Sequence, residues 1–367
     1  MRLSRLLASA SALLVVSALA ACAPASLQGA PATTPVSGER AALSDVEFLP
    51  NPRSHQGSST ALLERADIST PSAAPSQQLP VTFESQELGE PLEVEITSTD
   101  RVMALDMSGS LAATVWALGF GDKLVARDIS TTFPGVEELP IVTGSGHAIS
   151  PESVLALRPD LIITDGTIGP LDVVLQLREA GITVVFIREA PGLEAPAAMA
   201  RSVATVFGAP DAGEELANEL TTRIAEVSAT VAKKVSALEA DPLRMVFLYL
   251  RGANGIYYLF GEESGSGDLI EALGGIDVAT ETGWQGLRPM TDEALIAANP
   301  EVILVMSGGL DSVGGAQELV EAKPAIGLTP AGQQLRFVEM ADSQVLSFGP
   351  RTPEVIDALA RAIYAPE

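Results

Sequence analysis

One short pattern occurs twice in this chain and constrains its fold more than any other feature. Glu152 stands two residues after a serine and seven before a proline, and Glu293 stands likewise after a threonine and before a proline. The two glutamates are 141 positions apart, and an apolar run follows each Pro-Asp or Pro-Glu pair. A hydroxyl N-cap, a carboxylate in the first turn and a terminating proline predict a short amphipathic helix before a buried strand. A unit repeated once at this distance favours two similar lobes over a solenoid, whose repeats span about 20–50 residues.

The patterns after residue 94 indicate an α/β fold. Short continuous apolar runs alternate with helical spacings, which is typical of a parallel sheet covered by helices. The predicted strands of the first lobe are residues 102–105, 123–127, 161–164 and 183–187. Residues 211–239 repeat apolar residues at spacings of three and four, which predicts a helix about 40 Å long. We expect two Rossmann-like lobes, residues 95–210 and 240–367, joined by this helix and enclosing a ligand cleft.

The second lobe differs from the first in its opening elements. Residues 244–250 and 256–260 flank a Gly-Ala-Asn-Gly turn, which predicts a hairpin rather than a crossover. Two further strands are predicted at 335–340 and 344–348, and a C-terminal helix at 353–364.

The N-terminal residues have the composition of a targeting signal and a tether. Residues 1–21 begin with arginines and continue as an apolar stretch too short for a transmembrane helix. Cys22 follows a leucine and two small residues, which resembles a bacterial lipoprotein signal; an ordinary cleaved signal is the alternative. Residues 22–94 are rich in Pro, Ser, Ala, Thr and Gly, and we expect a disordered tether. The mature protein would then be lipid-anchored to the extracytoplasmic face of the cell membrane.

Charge and cysteine content exclude several classes of function. The formal net charge is −25, without a basic patch to offset it, so nucleic acid is not an expected partner. Cys22 is the only cysteine, which excludes a disulfide within the chain and a cysteine-based metal cluster. The only histidines are His55 and His147, so a His-cluster zinc or manganese site is excluded as well.

His147 is the first candidate ligand-binding residue. It lies in the glycine-rich loop 143–148, after a strand signal and before the serine cap of the first repeat. This position corresponds to the end of a sheet, where α/β proteins bind ligands. A solvated loop histidine is the simpler alternative.

Tyr249 and Arg251 form the second candidate pair. They are two residues apart at the end of a predicted strand, so alternation places them on one face, about 6–7 Å apart. A guanidinium beside a phenol favours the phenolate, a hard anionic ligand for ferric iron. A half-buried tyrosine beside a solvent-exposed arginine is the alternative, and Tyr257 and Tyr258 are competing candidates.

Catalytic motifs are weak, and the repeated glutamates have two interpretations. Ser266 is outside a Gly-x-Ser-x-Gly elbow, and no serine–acid pairing for His147 is evident, so we do not expect an enzyme. Glu152 and Glu293 are either simple capping residues or, because they recur at matched sites, exposed charges that dock on a partner.

These residues together resemble a known family, the solute-binding lipoproteins of ABC importers with a single-helix hinge, which carry cobalamin, ferric siderophores or haem. The resemblance covers about residues 98–365 and is strongest in the Pro-Glu to Pro-Asp-Leu-Ile stretch at 151–163 and its counterpart at 289–304. Within the family the chain is similar to haem (haemin) binders of the HmuT type, through the run Ala-Arg-Asp at 126–128 with its Phe-Pro ending and through Gly-Pro-Arg at 349–351.

The resemblance implies a ligand, a site and partners. Ferric haem b would be the transported ligand, with His147 and Tyr249 as axial ligands of the iron and Arg251 as the hydrogen-bonding partner of the tyrosine. The implied propionate contacts are Arg127, Arg288 and Arg351, and the implied cleft walls include Trp284 and Met290. Glu152 and Glu293 would meet arginines of an ABC permease, whose ATPase drives import, and upstream surface proteins would supply haem to this monomer.

Three alternatives differ in their ligand or chemistry. A ferric siderophore or cobalamin binder would use the same fold without His147 as an iron ligand. A cell-envelope hydrolase would need a catalytic triad, and a purely structural lipoprotein would leave the paired lobes without a purpose.

Overall fold

The computed structural model describes residues 40–366 except residues 88, 239, 253, 254 and 290. The predicted signal, Cys22 and Met290 therefore lie outside the described residues.

Strands and helices alternate along the described chain. The strands are β1 (Ser59–Thr60), β2 (Val81–Ser85), β3 (Leu92–Ile96), β4 (Val102–Leu105), β5 (Leu161–Thr164), β6 (Thr183–Phe186), β7 (Arg244–Arg251), β8 (Ile256–Leu259), β9 (Ile276–Asp277), β10 (Arg288–Pro289), β11 (Val302–Met306) and β12 (Phe337–Met340). The helices are α1 (Ser110–Ala117), α2 (Pro151–Leu157), α3 (Leu171–Glu179), α4 (Ala195–Val206), α5 (Pro210–Ser236), α6 (Ser266–Ala272), α7 (Val278–Glu281), α8 (Asp292–Ala298), α9 (Ser307–Asp311), α10 (Ala316–Ala322), α11 (Pro324–Gly327), α12 (Pro330–Gln333), α13 (Asp342–Val345) and α14 (Thr352–Tyr364).

The first lobe is built on the parallel sheet β4-β5-β6. All residues of β4 and β5 are buried, which explains their continuous apolar sequence. The predicted strands at 102–105 and 161–164 are confirmed. The predicted strand at 123–127 is wrong, because Leu124 and Arg127 form isolated bridges with two different partners and no ladder develops.

The second lobe contains a larger mixed sheet in the order β1-β12-β11-β7-β8-β10, with β9 also on β7. Strands β12, β11 and β7 are parallel, and β7 and β8 form the predicted antiparallel hairpin. The strand predicted at 344–348 is wrong, because residues 342–345 form the single helical turn α13. A short apolar run cannot be assigned to strand or helix by periodicity alone.

Helix α5 joins the lobes as predicted. Its 27 residues span about 40 Å, packing against α4 of the first lobe and against α14 and α6 of the second. A Cβ at Gly213 would lie 2.6 Å from the Ala204 Cβ, so glycine is what allows α5 to approach α4 this closely.

The disordered tether predicted over residues 22–94 is wrong for residues 40–94, which pack on both lobes. Phe48 is buried and stacks on Tyr364 with ring centroids 5.0 Å apart. Strand β1 pairs in parallel with β12 at the edge of the second sheet, and Ile68 and the β2–β3 hairpin pack on the core of the first lobe. The apolar residues of this segment lack periodicity because they pack into the cores of the two lobes instead of forming a separate core.

None of the helices in the described part of the chain is both long and apolar enough to cross a bilayer.

Candidate functional site

A first-lobe loop and the segment that follows β12 of the second lobe contact each other across the lobes. In the first lobe the chain leaves β4 at Asp106 and β5 at Asp165, and in the second it leaves β12 towards Asp342. The Thr132 and Ser343 hydroxyls are hydrogen-bonded across the lobes at 3.2 Å. Ligands of parallel α/β sheets bind at such edges, so this is the candidate binding site.

His147 lies in a strained loop of the first lobe. It ends a short 3-10 turn, with φ of 72° at Gly146 and 58° at His147 itself, and its N–H donates to the Gly144 carbonyl. A residue other than glycine in the left-handed region costs about 1 kcal/mol or more, and such strain concentrates at functional sites. Nδ1 of the ring is buried and has no hydrogen-bond partner among the described residues.

The second lobe influences the charge of this histidine. Burial lowers the pKa of His147 below its usual 6.5, and the positive charge of Arg251 lowers it further. Because Arg251 ends β7, a charge of the second lobe acts on this histidine of the first lobe. The imidazole is therefore neutral at neutral pH and can donate a lone pair.

Tyr249 is fixed by aromatic and cationic neighbours. The Phe260 ring meets it edge to face, with centroids 5.7 Å apart, and the Arg251 guanidinium carbon lies 4.7 Å from the Tyr249 ring centroid. The predicted hydrogen bond from Arg251 to the tyrosine hydroxyl is absent among the described contacts. Arg251 instead donates to the Leu250 carbonyl and to Asp342 Oδ1, at 2.9 and 3.3 Å. Stacking over the ring still places a positive charge beside the phenol.

The competing tyrosines occupy different positions. Tyr258 pairs directly with Tyr249 across the hairpin, so the two side chains share a face. Tyr257 lies on the opposite face, with the Lys323 ammonium 4.0 Å from its ring centroid.

The three predicted propionate contacts lie in three different places. Arg127 donates to the Thr131 carbonyl at 3.0 Å, and its Nε is buried without a described partner. Arg288 is exposed on β10. Arg351 lines a separate cavity of about 1180 Å³ between α5 and the segment from Glu64 to Val81, a cavity that neither His147 nor Tyr249 borders.

Trp284, a predicted cleft-wall residue, and Met107 have different surroundings. Trp284 is partly buried against the core of the second lobe, with Nε1 lacking a described partner. Met107, which the sequence reasoning missed, lies two residues after the end of β4 and is 49% exposed. It is an accessible apolar group at the carboxyl edge of the first sheet.

Sequence reasoning also missed four aspartates, Asp106, Asp128, Asp165 and Asp342. Three of them directly follow a predicted strand and Asp342 comes two residues after one, so the rule that ligands bind at carboxyl ends of strands would have found them. Asp342 accepts hydrogen bonds from Arg251 and from the Gly308 N–H, which links Arg251 to the β11–α9 turn.

The first-lobe aspartates form a buried acidic cluster. Asp106 accepts hydrogen bonds from the first turn of α1, and Asp128 accepts from the Ser130 and Thr131 N–H groups. Burial and the neighbouring Asp106 raise the pKa of Asp128 to about 7 and that of Asp165 to about 6. No set of three or more His, Cys, Asp or Glu side chains in the described residues is arranged to hold a bare metal ion.

The raised pKa of Asp128 predicts a pH-dependent stability. The folded chain keeps the proton up to about pH 7, whereas the unfolded chain releases it near 3.8, so stability falls as pH rises between these values. We expect Asp128→Asn to remove about 2 kcal/mol of the loss in unfolding free energy between pH 5 and pH 8. Urea unfolding across this range measures it, with the exposed Asp122→Asn as control. An unchanged pH slope in Asp128→Asn would contradict the assignment.

The repeated glutamates are exposed in both lobes. Glu152 lies in the first turn of α2 and Glu293 in the first turn of α8. The N-cap hydroxyls of Ser150 and Thr291 accept the N–H of Ser153 and Ala294. The caps therefore do not need the glutamates, which leaves both carboxylates free for a partner.

Comparison with known proteins places this fold among solute-binding proteins. The family described as "Periplasmic binding protein" matches residues 107–343. The crystal structure of heme binding protein HmuT is 36% identical with a TM-score of 0.78, covering 86% of this chain and 99% of HmuT. Periplasmic heme-binding protein RhuT from Roseiflexus sp. RS-1 is 33% identical with a TM-score of 0.65, covering 73% of this chain and 98% of RhuT.

Two relatives extend the range of ligands. The ABC transporter substrate-binding lipoprotein YvrC of Bacillus subtilis is 25% identical over 253 residues, 68% of this chain and 76% of YvrC. A cobalamin-binding protein of Halobacterium salinarum is 26% identical over 270 residues, 72% of this chain and 69% of that protein. Solved variants of HmuT replace one arginine, one tyrosine or one histidine by alanine.

Proposed function

Because the chain belongs to the periplasmic binding protein family, we propose that it is the extracytoplasmic haem receptor of an ABC importer. It captures ferric haem between its lobes and delivers the haem to a permease, and its role is binding rather than catalysis. The observation that carries the proposal is that the positive charge of Arg251, from the second lobe, acts on His147 of the first lobe, while the Arg251 guanidinium carbon lies 4.7 Å from the Tyr249 ring centroid. The similarity to HmuT supports it, since the substituted tyrosine and arginine of HmuT are also two positions apart.

Each residue of the pair has a distinct role towards ferric haem b. Neutral His147 offers a ring nitrogen to the iron from the first lobe, and its lowered pKa keeps this nitrogen unprotonated. Tyr249 offers a phenolate oxygen from the second lobe. The guanidinium of Arg251 stabilises that negative charge, and Asp342 holds Arg251 in position.

The remainder of the site binds the macrocycle and its propionates. Met107 provides accessible apolar surface at the cleft. Arg127 is the favoured propionate partner, because its Nε lacks a described partner and its loop reaches the other lobe through Thr132. Arg288, which is exposed on β10, is a second candidate, whereas Arg351 is less favoured because it lines the separate cavity beside α5.

Delivery requires a membrane partner and an anchor. Exposed Glu152 and Glu293 dock on basic residues of the permease, whose ATPase powers import. Cys22 carries the lipid that retains the protein at the outer face of the cell membrane, in keeping with the lipoprotein relative YvrC.

A haem titration tests the proposed function. Adding ferric haem to the detergent-solubilised full chain is expected to produce a shifted Soret band that saturates, and His147→Ala to weaken binding strongly. His55→Ala, which changes the only other histidine, is the matched control. A missing Soret shift together with tight cobalamin binding would replace haem by the ligand of the Halobacterium relative.

The same titration has an expected pH dependence. Since the pKa of His147 lies below 6.5, binding should persist from pH 8 to pH 6.5 and decline only when the ring is protonated at lower pH. Replacing Arg251 by glutamine removes a charge that lowers this pKa, so the acid limb should move to higher pH. An acid limb that is identical in His147→Ala would exclude the histidine as its cause.

A further inference from the structure

The two repeated helices have the same capped geometry. Both α2 and α8 contain seven residues, and each begins at a hydroxyl N-cap. Their C-cap residues are Arg158 and Asn299, whose φ angles of 47° and 49° lie in the left-handed region. The same surface is therefore built twice, once on each lobe.

Each helix exposes an aliphatic side chain beside its glutamate. Leu155 is 47% exposed and Ile296 is 40% exposed, each three residues after Glu152 or Glu293. Residues three apart lie on the same helix face, so the carboxylate and the aliphatic group are neighbours. The next position holds an exposed alanine in both helices, Ala156 and Ala297.

This exposure is selective within each helix. The preceding apolar residues, Val154 and Leu295, are completely buried. Single exposed aliphatic residues are common on protein surfaces. Their recurrence at matched positions of two distant helices, each beside an exposed carboxylate and a small alanine, is not expected from chance exposure.

We propose that Leu155 and Ile296 are contact residues of a two-site docking surface, formed by Glu152, Leu155 and Ala156 on one lobe and by Glu293, Ile296 and Ala297 on the other. The proposal rests on the permease docking role given above and names what the permease must offer. Because the two patches are equivalent, their occupant is a permease that presents the same surface twice, as two copies of one subunit. Each copy offers a basic side chain beside an aliphatic pocket.

The chemistry requires both parts of each patch. Exposed ion pairs are weak and are screened by salt, so two glutamates steer the approach but hold the complex poorly. Burial of an aliphatic side chain at the centre of a contact contributes independently of salt. The small alanine allows the partner backbone to approach the helix closely.

Binding of the detergent-solubilised full chain to the immobilised permease–ATPase complex of the same importer tests this. Leu155→Asp and Ile296→Asp are each expected to weaken binding about tenfold, and the double variant about a hundredfold. Leu155→Ile and Ile296→Leu should retain wild-type affinity. Leu92→Asp is the matched control, because Leu92 is 44% exposed on the β2–β3 hairpin.

The outcomes separate the inference from the docking role itself. One outcome is that charge reversal of Glu152 and Glu293 abolishes binding to the permease while Leu155→Asp and Ile296→Asp bind as the wild type does. This outcome would overturn the inference about the aliphatic residues and leave the docking role of the glutamates intact. Wild-type binding in all of these variants would overturn both. A loss of affinity in only one of Leu155→Asp and Ile296→Asp would overturn the inference that the permease presents the same surface twice. A loss of affinity that persists in 1 M salt would support the inference that aliphatic contacts contribute to binding. Unchanged haem titrations in the variants show that folding is preserved.

Discussion

Replacing Tyr249 by phenylalanine is expected to lower the affinity for ferric haem by more than about a hundredfold. The substitution removes only the phenolic oxygen, so the edge contact with Phe260 and the stacked Arg251 can remain. Loss of a residue that merely supports a metal ligand costs about 10–100-fold, and loss of the ligand itself should cost more. Titration followed at the Soret band measures the affinity, and the loss of a phenolate-to-iron charge-transfer band identifies the missing ligand.

The hairpin provides a matched control for this experiment. Tyr258 is paired directly with Tyr249 and shares its face, so Tyr258→Phe removes an equivalent hydroxyl from the neighbouring strand. It should leave affinity and spectrum close to those of the wild type. Wild-type affinity in Tyr249→Phe, with a changed spectrum in Tyr258→Phe, would transfer the ligand role to Tyr258.

Phe48→Ala is expected to destabilise the protein by about 3 kcal/mol. Phe48 is 6% exposed, stacks on the fully buried Tyr364, and has the Lys234 ammonium 5.1 Å from its ring centroid. Deleting the ring leaves a cavity at the junction of the N-terminal segment with α14 and α5. Equilibrium unfolding in urea measures the loss.

This prediction discriminates between a tether and a packed segment. A residue in an unfolded tether contributes nothing to the unfolding free energy, whereas Phe48 here belongs to the core of the second lobe. The exposed neighbour substitution Glu47→Ala should change stability by less than about 0.5 kcal/mol. Equal stability of Phe48→Ala and the wild type would mean that the segment is not packed in solution.

Much of the fold follows from local patterns in the sequence. The buried strands β4 and β5 were predicted from continuous apolar runs, and α5 from its long apolar face. The sequence pattern predicts strands at 123–127 and 344–348 that the fold does not form, because whether a short apolar run joins a ladder depends on partners elsewhere in the chain. The composition of residues 40–94 predicts a tether for a similar reason. The apolar residues of this segment pack into the cores of both lobes, which cannot be read from the segment alone.

The candidate site shows the same division. His147 and Tyr249 were selected by their positions near the ends of predicted strands, but the stacking of Arg251 on the tyrosine could not be foreseen. Spacing along a strand defines a shared face, whereas the direction of a guanidinium depends on competing acceptors, here Asp342 and the Leu250 carbonyl. The position of Arg351 likewise depends on the path of the chain after α13, which places Arg351 in the lining of the separate cavity beside α5.

Local sequence patterns are enough to predict the two-lobed α/β fold, the helix that joins the lobes, and the few residues whose chemistry makes them candidate iron ligands. These properties arise from hydrophobic period, capping and residue chemistry, which are local and can be read along one chain. The folded structure is needed to show that the charge of Arg251 acts on His147, that burial and Asp106 raise the pKa of Asp128 to about 7, and that Leu155 and Ile296 are exposed beside their glutamates. Burial and electrostatic interaction depend on groups distant in sequence, and those groups become neighbours only when the chain has folded.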